Sequence, residues 1–221
     1  MSQATPMVFV VDDDASVRRS LASLIDSAGW QTQTFASAQD FLSSPRVPAP
    51  SCLVLDLFLP DVNGLELQKR VAVERTDMPI IFISGYGDVP VTVQAMRAGA
   101  IEFLTKPLAS DVLLSTIGRA IERSCAARLQ EAAMRELRQR HASLSRRERE
   151  IIGLVVSGLL NKQVAAELGI SEITVKAHRG NVMRKMQARS LPDLVNMASA
   201  LDIAPRLHAS RSNSAVGMQV A

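Results

Sequence analysis

The sequence predicts a doubly wound α/β domain, then a helical linker and a small all-α domain. Short apolar runs rich in β-branched residues recur between residues 7 and 105, and segments of helical length separate them. Those segments carry apolar residues three or four positions apart, as Val17, Leu21 and Ile25 do. Helix-start and turn signals throughout residues 144–203 predict the all-α domain.

The apolar runs predict five parallel strands. Four of the runs cover residues 7–11, 52–55, 80–83 and 101–105, and the alternating segment Gln31–Phe35 supplies a short fifth strand. Strands that alternate with helices form parallel sheets with helices on both faces. Five strands and five helices imply a flavodoxin-like fold.

Charged and hydroxyl side chains follow four of the predicted strands. Asp12 and Asp13 follow the first run, and Asp56, Ser84 and Lys106 follow three later ones. In open α/β sheets, ligands bind beyond the carboxyl ends of the strands. Clustered carboxylates repel each other and favour a divalent cation. A metal, a nucleophilic carboxylate and a lysine together suit phosphoryl transfer.

Residues 109–143 predict one long helix that leaves the first domain. This segment contains no proline, and it has apolar residues at every fourth position from Ile117 to Leu137. A coiled coil needs a heptad repeat, from which this spacing drifts. The segment is therefore predicted to be a helical linker rather than a stable zipper.

Residues 144–203 are predicted to form short helices that include a helix-turn-helix. Ser145 begins the first with a capping box. Asn161 is predicted to cap the second, Gly169 to form the turn after it, and Ser171 to cap the third. The tail beyond this domain is rich in Ser, Ala and Arg without periodicity, which predicts disorder.

The predicted division of the chain is 1–122, 123–143, 144–203 and 204–221, and charge follows it. Acidic residues outnumber basic ones in the first domain, whereas basic residues outnumber acidic ones from residue 123 to 190. An acidic half followed by a basic half suggests an acidic site first and a nucleic-acid partner second.

Composition predicts a cytoplasmic protein without a membrane partner. The sequence contains no apolar stretch long enough to span a bilayer and no signal peptide at its start. Cys52 and Cys125 lack the spacing of metal ligands, and two cysteines make no disulfide framework. A reducing compartment fits this usage.

Several short motifs occur in a characteristic order. In the first domain they are Val11-Asp12-Asp13-Asp14, Leu55-Asp56-Leu57-Phe58-Leu59-Pro60, Ser84-Gly85-Tyr86-Gly87-Asp88-Val89-Pro90 and Lys106-Pro107. In the second they are Leu144-Ser145-Arg146-Arg147-Glu148 and Ile170-Ser171-Glu172-Ile173-Thr174-Val175-Lys176. With these motifs the chain resembles bacterial two-component response regulators of the FixJ/NarL class, which join a receiver domain to a LuxR-type helix-turn-helix domain.

The resemblance implies a phosphoacceptor and a metal site in the first domain. Asp56 would accept a phosphoryl group from a sensor histidine kinase. Asp12 and Asp13 would bind Mg²⁺ together with Asp56, and the backbone carbonyl of Phe58 would complete the protein ligands.

The resemblance also implies how the phosphoryl group is held and sensed. Lys106 and Ser84 would contact its oxygens; the family often has Thr at the latter position, and Ser keeps the hydroxyl donor. Phe103 would be the aromatic switch that turns inward when Ser84 moves. Tyr86 departs from the His of close relatives.

The third helix of the second domain would be the recognition helix for promoter DNA. By resemblance, Lys176, Ala177 and Gly180 would face the major groove, although the family often has a larger or charged residue at the last position. Further contacts, mostly with phosphates, are expected from Lys162, Thr174, His178, Arg179 and Arg184.

The predicted function is therefore a phosphorylation-controlled transcription regulator, which is not an enzyme. We expect a homodimer when it is phosphorylated, and RNA polymerase is a further candidate partner. One alternative is a phosphatase of the haloacid dehalogenase type, but that class needs an acid two residues after the nucleophile, where Phe58 stands. Another is a LuxR regulator that senses a small molecule, which would not need the acidic cluster.

Overall fold

The computed structural model describes residues 5–85 and 89–203, and the chain divides into two compact units at residue 131. The predicted disorder beyond residue 203 lies outside the described residues. Within those residues, no helix combines the length and the apolar character that crossing a membrane requires.

The first unit contains the predicted five-stranded parallel sheet. Its strands are β1 (Met7–Val11), β2 (Gln31–Phe35), β3 (Ser51–Asp56), β4 (Ile80–Ser84) and β5 (Glu102–Thr105), and their order is β2-β1-β3-β4-β5. Every residue of β3 and β4 is buried because helices cover both faces of a parallel sheet. The order reverses between β1 and β3, which makes the carboxyl ends of these two strands the expected ligand-binding edge.

Five helices cover the sheet: α1 (Ala15–Ser27), α2 (Ala38–Ser43), α3 (Gly64–Glu74), α4 (Val89–Arg97) and α5 (Ser110–Ala142). The apolar pattern marks four of them but not α2, whose six residues are too few to show a helical period. One core lies between the sheet and α2, α3 and α4, and the other lies between the sheet and α1 and α5.

Helix α5 is continuous over 33 residues, as the spacing of its apolar residues predicts. Its last fully buried residue is Ser124. The Ser124 hydroxyl donates to the Asp77 carbonyl (2.7 Å) and accepts from the Ser51 amide (3.0 Å). These two bonds attach α5 to the amino-terminal ends of β3 and β4.

The second unit contains α6 (Arg146–Val156), α7 (Asn161–Leu168), α8 (Glu172–Met186) and α9 (Leu191–Ala200) around one apolar core. The predicted capping box is confirmed, since Ser145 and Glu148 each bond the other's backbone amide. Gly169 lies in the predicted turn, where its φ of 64° is left-handed, and Ser171 caps α8 as predicted.

The predicted cap of α7 is wrong by one residue. Leu160 holds the N-cap position, and its amide donates to the Gln163 side chain (2.8 Å). Asn161 is instead the first helical residue, and its side-chain oxygen accepts from Arg179 Nη1 (2.9 Å). The Asn161 side chain, which sequence predicted to cap α7, therefore accepts a hydrogen bond from α8 instead.

Candidate functional site

The acidic residues that follow β1 and β3 lie together at the switch point of the sheet. Val11 pairs with Leu55 in the parallel register, so Asp12 and Asp56 are neighbours. Asp12 and Asp56 are buried, whereas Asp13 is exposed. One carboxylate oxygen from each of the three lies within 4.8 Å of the others. This set offers hard oxygen ligands of the kind that divalent cations prefer.

Lys106 joins the two buried carboxylates. Its Nζ lies 2.7 Å from Asp12 Oδ2 and 2.7 Å from Asp56 Oδ2. Burial alone would lower the pKa of Lys106, but hydrogen bonds to the two carboxylates outweigh burial and raise it. The ammonium group therefore stays charged at neutral pH, and it supplies one positive charge among three carboxylates.

The second oxygen of each buried carboxylate accepts from a nearby backbone amide. Asp12 Oδ1 accepts from Asp14 N (2.9 Å), and Asp56 Oδ1 accepts from Phe58 N (3.1 Å). Burial nevertheless raises the pKa of Asp12, against the lowering effect of the hydrogen bonds from Lys106 and Asp14. The two side chains are thus oriented before any ligand binds.

Arg18 stabilises the loop that carries the acidic residues. Its Nη1 donates to the backbone oxygens of Asp12 (2.7 Å) and Asp13 (2.8 Å). Asp14, to which sequence assigned no ligand role, caps α1 by accepting from the Ser16 amide (2.6 Å). The role of Arg18 was not predicted from sequence, because it contacts backbone oxygens, and a sequence motif gives no sign of such contacts.

Gly64 permits the close approach of α3 to the end of β3. A Cβ atom at this position would lie 2.8 Å from the Asp56 backbone oxygen and 3.0 Å from Phe82 Cε1. Real Cβ atoms essentially never lie within 3.0 Å of a backbone oxygen, so any other residue would displace the loop after Asp56.

Ser84 and Phe103 occupy neighbouring strands beside this edge. Ser84 ends β4 and is buried, and its carbonyl accepts from the Lys106 amide (2.8 Å). Phe103 is half-buried opposite Phe82, with ring centroids 6.1 Å apart. Tyr86 lies outside the described residues.

The predicted DNA-binding residues divide by exposure. The exposed ones are Lys162 on α7 and Lys176, Ala177, Gly180 and Arg184 on α8. Thr174, His178 and Arg179 are half-buried. Arg179 bonds to Asn161, and the Thr174 hydroxyl lies 2.7 Å from that of Ser171. Two of the proposed phosphate contacts therefore also support the helix-turn-helix itself.

Comparison with known proteins agrees with this architecture. Residues 8–118 match the model of the response regulator receiver domain, and residues 142–198 match that of the bacterial regulatory proteins of the luxR family. The chain therefore belongs to the response regulators that join these two domains.

Individual relatives align over most of both chains. Nodulation protein W of Bradyrhizobium diazoefficiens is 48% identical over 197 residues, which cover 89% of this chain and 87% of that protein. Transcriptional regulatory protein FixJ of Rhizobium meliloti is 42% identical over 198 residues, which cover 90% and 97%. The solved structure of response regulator StyR is 45% identical with a TM-score of 0.79, and the match covers 89% and 99%. The chain is a phosphorylation-controlled, DNA-binding transcription regulator of a two-component system.

Proposed function

We propose that Asp56 is the residue that accepts the phosphoryl group from a sensor histidine kinase. The observation that carries this assignment is the pairing of buried Asp56 with Lys106 at 2.7 Å, beside two further carboxylates. An Asp56 oxygen would form the new bond to phosphorus while the bond from phosphorus to the donor histidine nitrogen breaks. That nitrogen keeps the electron pair, and Lys106 neutralises the transferred oxygens.

The metal site of the proposal consists of Asp12, Asp13, Asp56 and the backbone carbonyl of Phe58. Three clustered carboxylates with one ammonium leave negative charge uncompensated, which suits Mg²⁺. The ion would neutralise charge between the attacking carboxylate and the phosphoryl group. Ser84 would donate its hydroxyl to that group.

Phosphorylation would promote a homodimer through the face that contains α4, β5 and α5. This face exposes the apolar side chains of Val89, Val93, Met96 and Val112. Phe103, the proposed switch, lies on β5 and connects this face with the phosphorylation site. A full reversal from 1:99 to 99:1 would need roughly 5.5 kcal/mol of differential affinity.

The second unit would bind promoter DNA with α8 in the major groove. Lys176, Ala177 and Gly180 would face the bases, and other contacts would come from Lys162, Thr174, His178, Arg179 and Arg184. The proposal divides the chain into a receiver (1–122), a linker (123–143), a DNA-binding domain (144–203) and a tail (204–221). We further propose that the protein acts in the cytoplasm and is not an enzyme. RNA polymerase is a candidate partner.

Labelling with a small phosphodonor tests the phosphoacceptor. We expect Mg²⁺-dependent labelling of the parent chain and none of Asp56→Asn. Asp14→Asn is the matched control, because it lies in the acidic loop and Asn caps a helix as well as Asp. Undiminished labelling of Asp56→Asn would reject the assignment.

Sedimentation with and without the phosphodonor tests the dimer, and an unchanged mass across micromolar concentrations would reject it.

Salt-dependent DNA binding tests the second unit. Lys162→Ala should weaken binding to all sequences alike and lower the salt slope by about one unit. Lys176→Ala should cost about 1–3 kcal/mol and relax preference at one position of each half-site. The half-sites of a two-fold dimer should form an inverted repeat about one helical turn apart. If Lys176→Ala bound matched and scrambled sites as the parent does, α8 would not be the recognition helix.

A further inference from the structure

The outward face of α8 has a stripe that carries no polar side chain over its first turns. At about 100° per residue, Ile173, Ala177 and Gly180 fall within one narrow sector of the helix. The buried residues lie on the opposite side: Val175, Val182 and Met186. We call Ile173, Ala177 and Gly180 the apolar stripe. Lys176 lies at one side of it, and Arg184 continues it toward the end of the helix.

Ile173 is the unexpected member of the apolar stripe. Its side chain is 83% exposed, although isoleucine is among the residues most often buried. Single exposed apolar residues are common, and Val73 on α3 is another at 80%. Ile173 differs from Val73 because it stands in the first turn of α8, on the side that faces directly away from the core. The N-terminal residues of a recognition helix are those that contact base edges.

Gly180 is not required by the protein that surrounds it. A Cβ atom built at this position meets nothing within 4 Å, and its φ is not left-handed. Glycine weakens a helix interior, so folding favours alanine here. A glycine that neither packing nor backbone geometry needs leaves room for something outside the protein. It lets the middle of α8 approach a surface more closely than any other residue would.

We propose that Ile173 recognises the C5 methyl group of a thymine, while Ala177 and Gly180 let α8 lie close to the bases. The inference deepens the proposed function, since it takes α8 as the recognition helix. Isoleucine cannot donate or accept a hydrogen bond, and the thymine methyl is the apolar group that the major groove displays. The contact discriminates thymine from the other bases by apolar burial. Lys176 contributes charge and hydrogen bonding independently.

Replacing thymine by uracil tests the contact, because uracil lacks only the methyl group. A duplex is first selected from a randomised pool with the full phosphorylated chain, and each thymine is then replaced singly. Burial of one methyl group is worth about 0.8 kcal/mol, so we expect about a fourfold loss of affinity at one position of each half-site. Ile173→Ala should bind the thymine and uracil duplexes equally. Lys176→Ala should bind more weakly but keep the fourfold difference.

The outcomes separate this inference from the proposed function. If Ile173→Ala kept the same sensitivity to uracil as the parent, or if the selected half-sites contained no thymine, the thymine contact would be overturned. If Lys176→Ala and Arg184→Ala also bound like the parent, the assignment of α8 as the recognition helix would be rejected as well.

Gly180→Ala is the second variant: we expect unchanged or higher thermal stability by circular dichroism and several-fold weaker DNA binding. Unchanged DNA binding of Gly180→Ala would contradict the close approach.

Discussion

Buried aspartates lie at both ends of the strands of the receiver sheet, near the carboxyl ends and near the amino ends, and the cations around them differ. At the carboxyl edge, Asp12 and Asp56 share one ammonium group from Lys106. Before the amino end of β4, Asp77 has two guanidinium partners. Its Oδ1 lies 2.6 Å from Arg46 Nη2, and its Oδ2 lies 2.8 Å from Arg128 Nη1.

The pKa values of Asp12 and Asp77 shift in opposite directions. Burial acts against ionisation at both edges. At Asp77, the hydrogen bond from Arg128 and the nearby guanidinium charges outweigh burial, so the pKa of this carboxyl falls. At Asp12, burial dominates the hydrogen bonds, so the pKa rises. An aspartate with both oxygens on guanidinium groups stabilises the fold, whereas a cluster short of cations is suited to bind one.

The largest expected effect is stabilisation of the first unit by Mg²⁺. At a hundredfold excess over its Kd, the ion should raise the free energy of unfolding by about 2.7 kcal/mol. Trp30, the one tryptophan of the chain, packs against the receiver core, so urea unfolding of the full chain followed by its fluorescence measures this unit. Asp13→Asn at equal ionic strength is the control. An equal gain in that variant would contradict the site.

Asp77→Asn should destabilise the first unit by about 1–3 kcal/mol, because two guanidinium groups lose their charged partner. The side chains of Arg46 and Arg128 are 56% and 31% exposed, so the loss should stay below that of a fully buried pair. Trp30 fluorescence in urea measures it. Labelling of Asp56 by a phosphodonor should be unchanged. Lost labelling without lost stability would refute a purely structural role for Asp77.

In metal-free protein, Asp13→Asn should stabilise the first unit, whereas Asp77→Asn destabilises it. Asp13 lies within 4.8 Å of two other carboxylates, and its removal relieves repulsion on the order of 1 kcal/mol per pair of charges in water. The free energy of unfolding with a chelator present should therefore rise slightly. A clear decrease would show that the cluster is not under repulsion. Asp14→Asn, which keeps the cap of α1, is the matched variant.

The smallest effect concerns pH. Because the folded pKa of Asp77 lies below its ordinary value of 3.8, its stabilising contribution is present above that value and is lost as the pH falls through the folded pKa. The stability difference between the parent and Asp77→Asn should therefore shrink between about pH 5 and pH 3. Urea titrations of both chains at several pH values measure it. A stability difference between the two chains that grows as the pH falls would contradict the lowered pKa of Asp77.

The carboxyl edge could be predicted from sequence, whereas the amino edge could not. Asp12, Asp56 and Lys106 each follow an apolar strand, and parallel strands bring their ends to one edge. Arg46 and Arg128 stand 31 and 51 residues from Asp77, in a loop and on a helix. No local pattern relates them, since their meeting depends on how α5 packs beneath the sheet.

The sequence by itself determined the strand ends, the long helix and the helix-turn-helix, because periodicity and capping are properties of neighbouring residues. Tertiary structure alone decided which contacts hold one segment against another. It directed Arg18 to the carbonyls of the acidic loop and Asn161 to Arg179 rather than to a cap. These outcomes depend on distances between segments, which packing sets and local sequence does not encode.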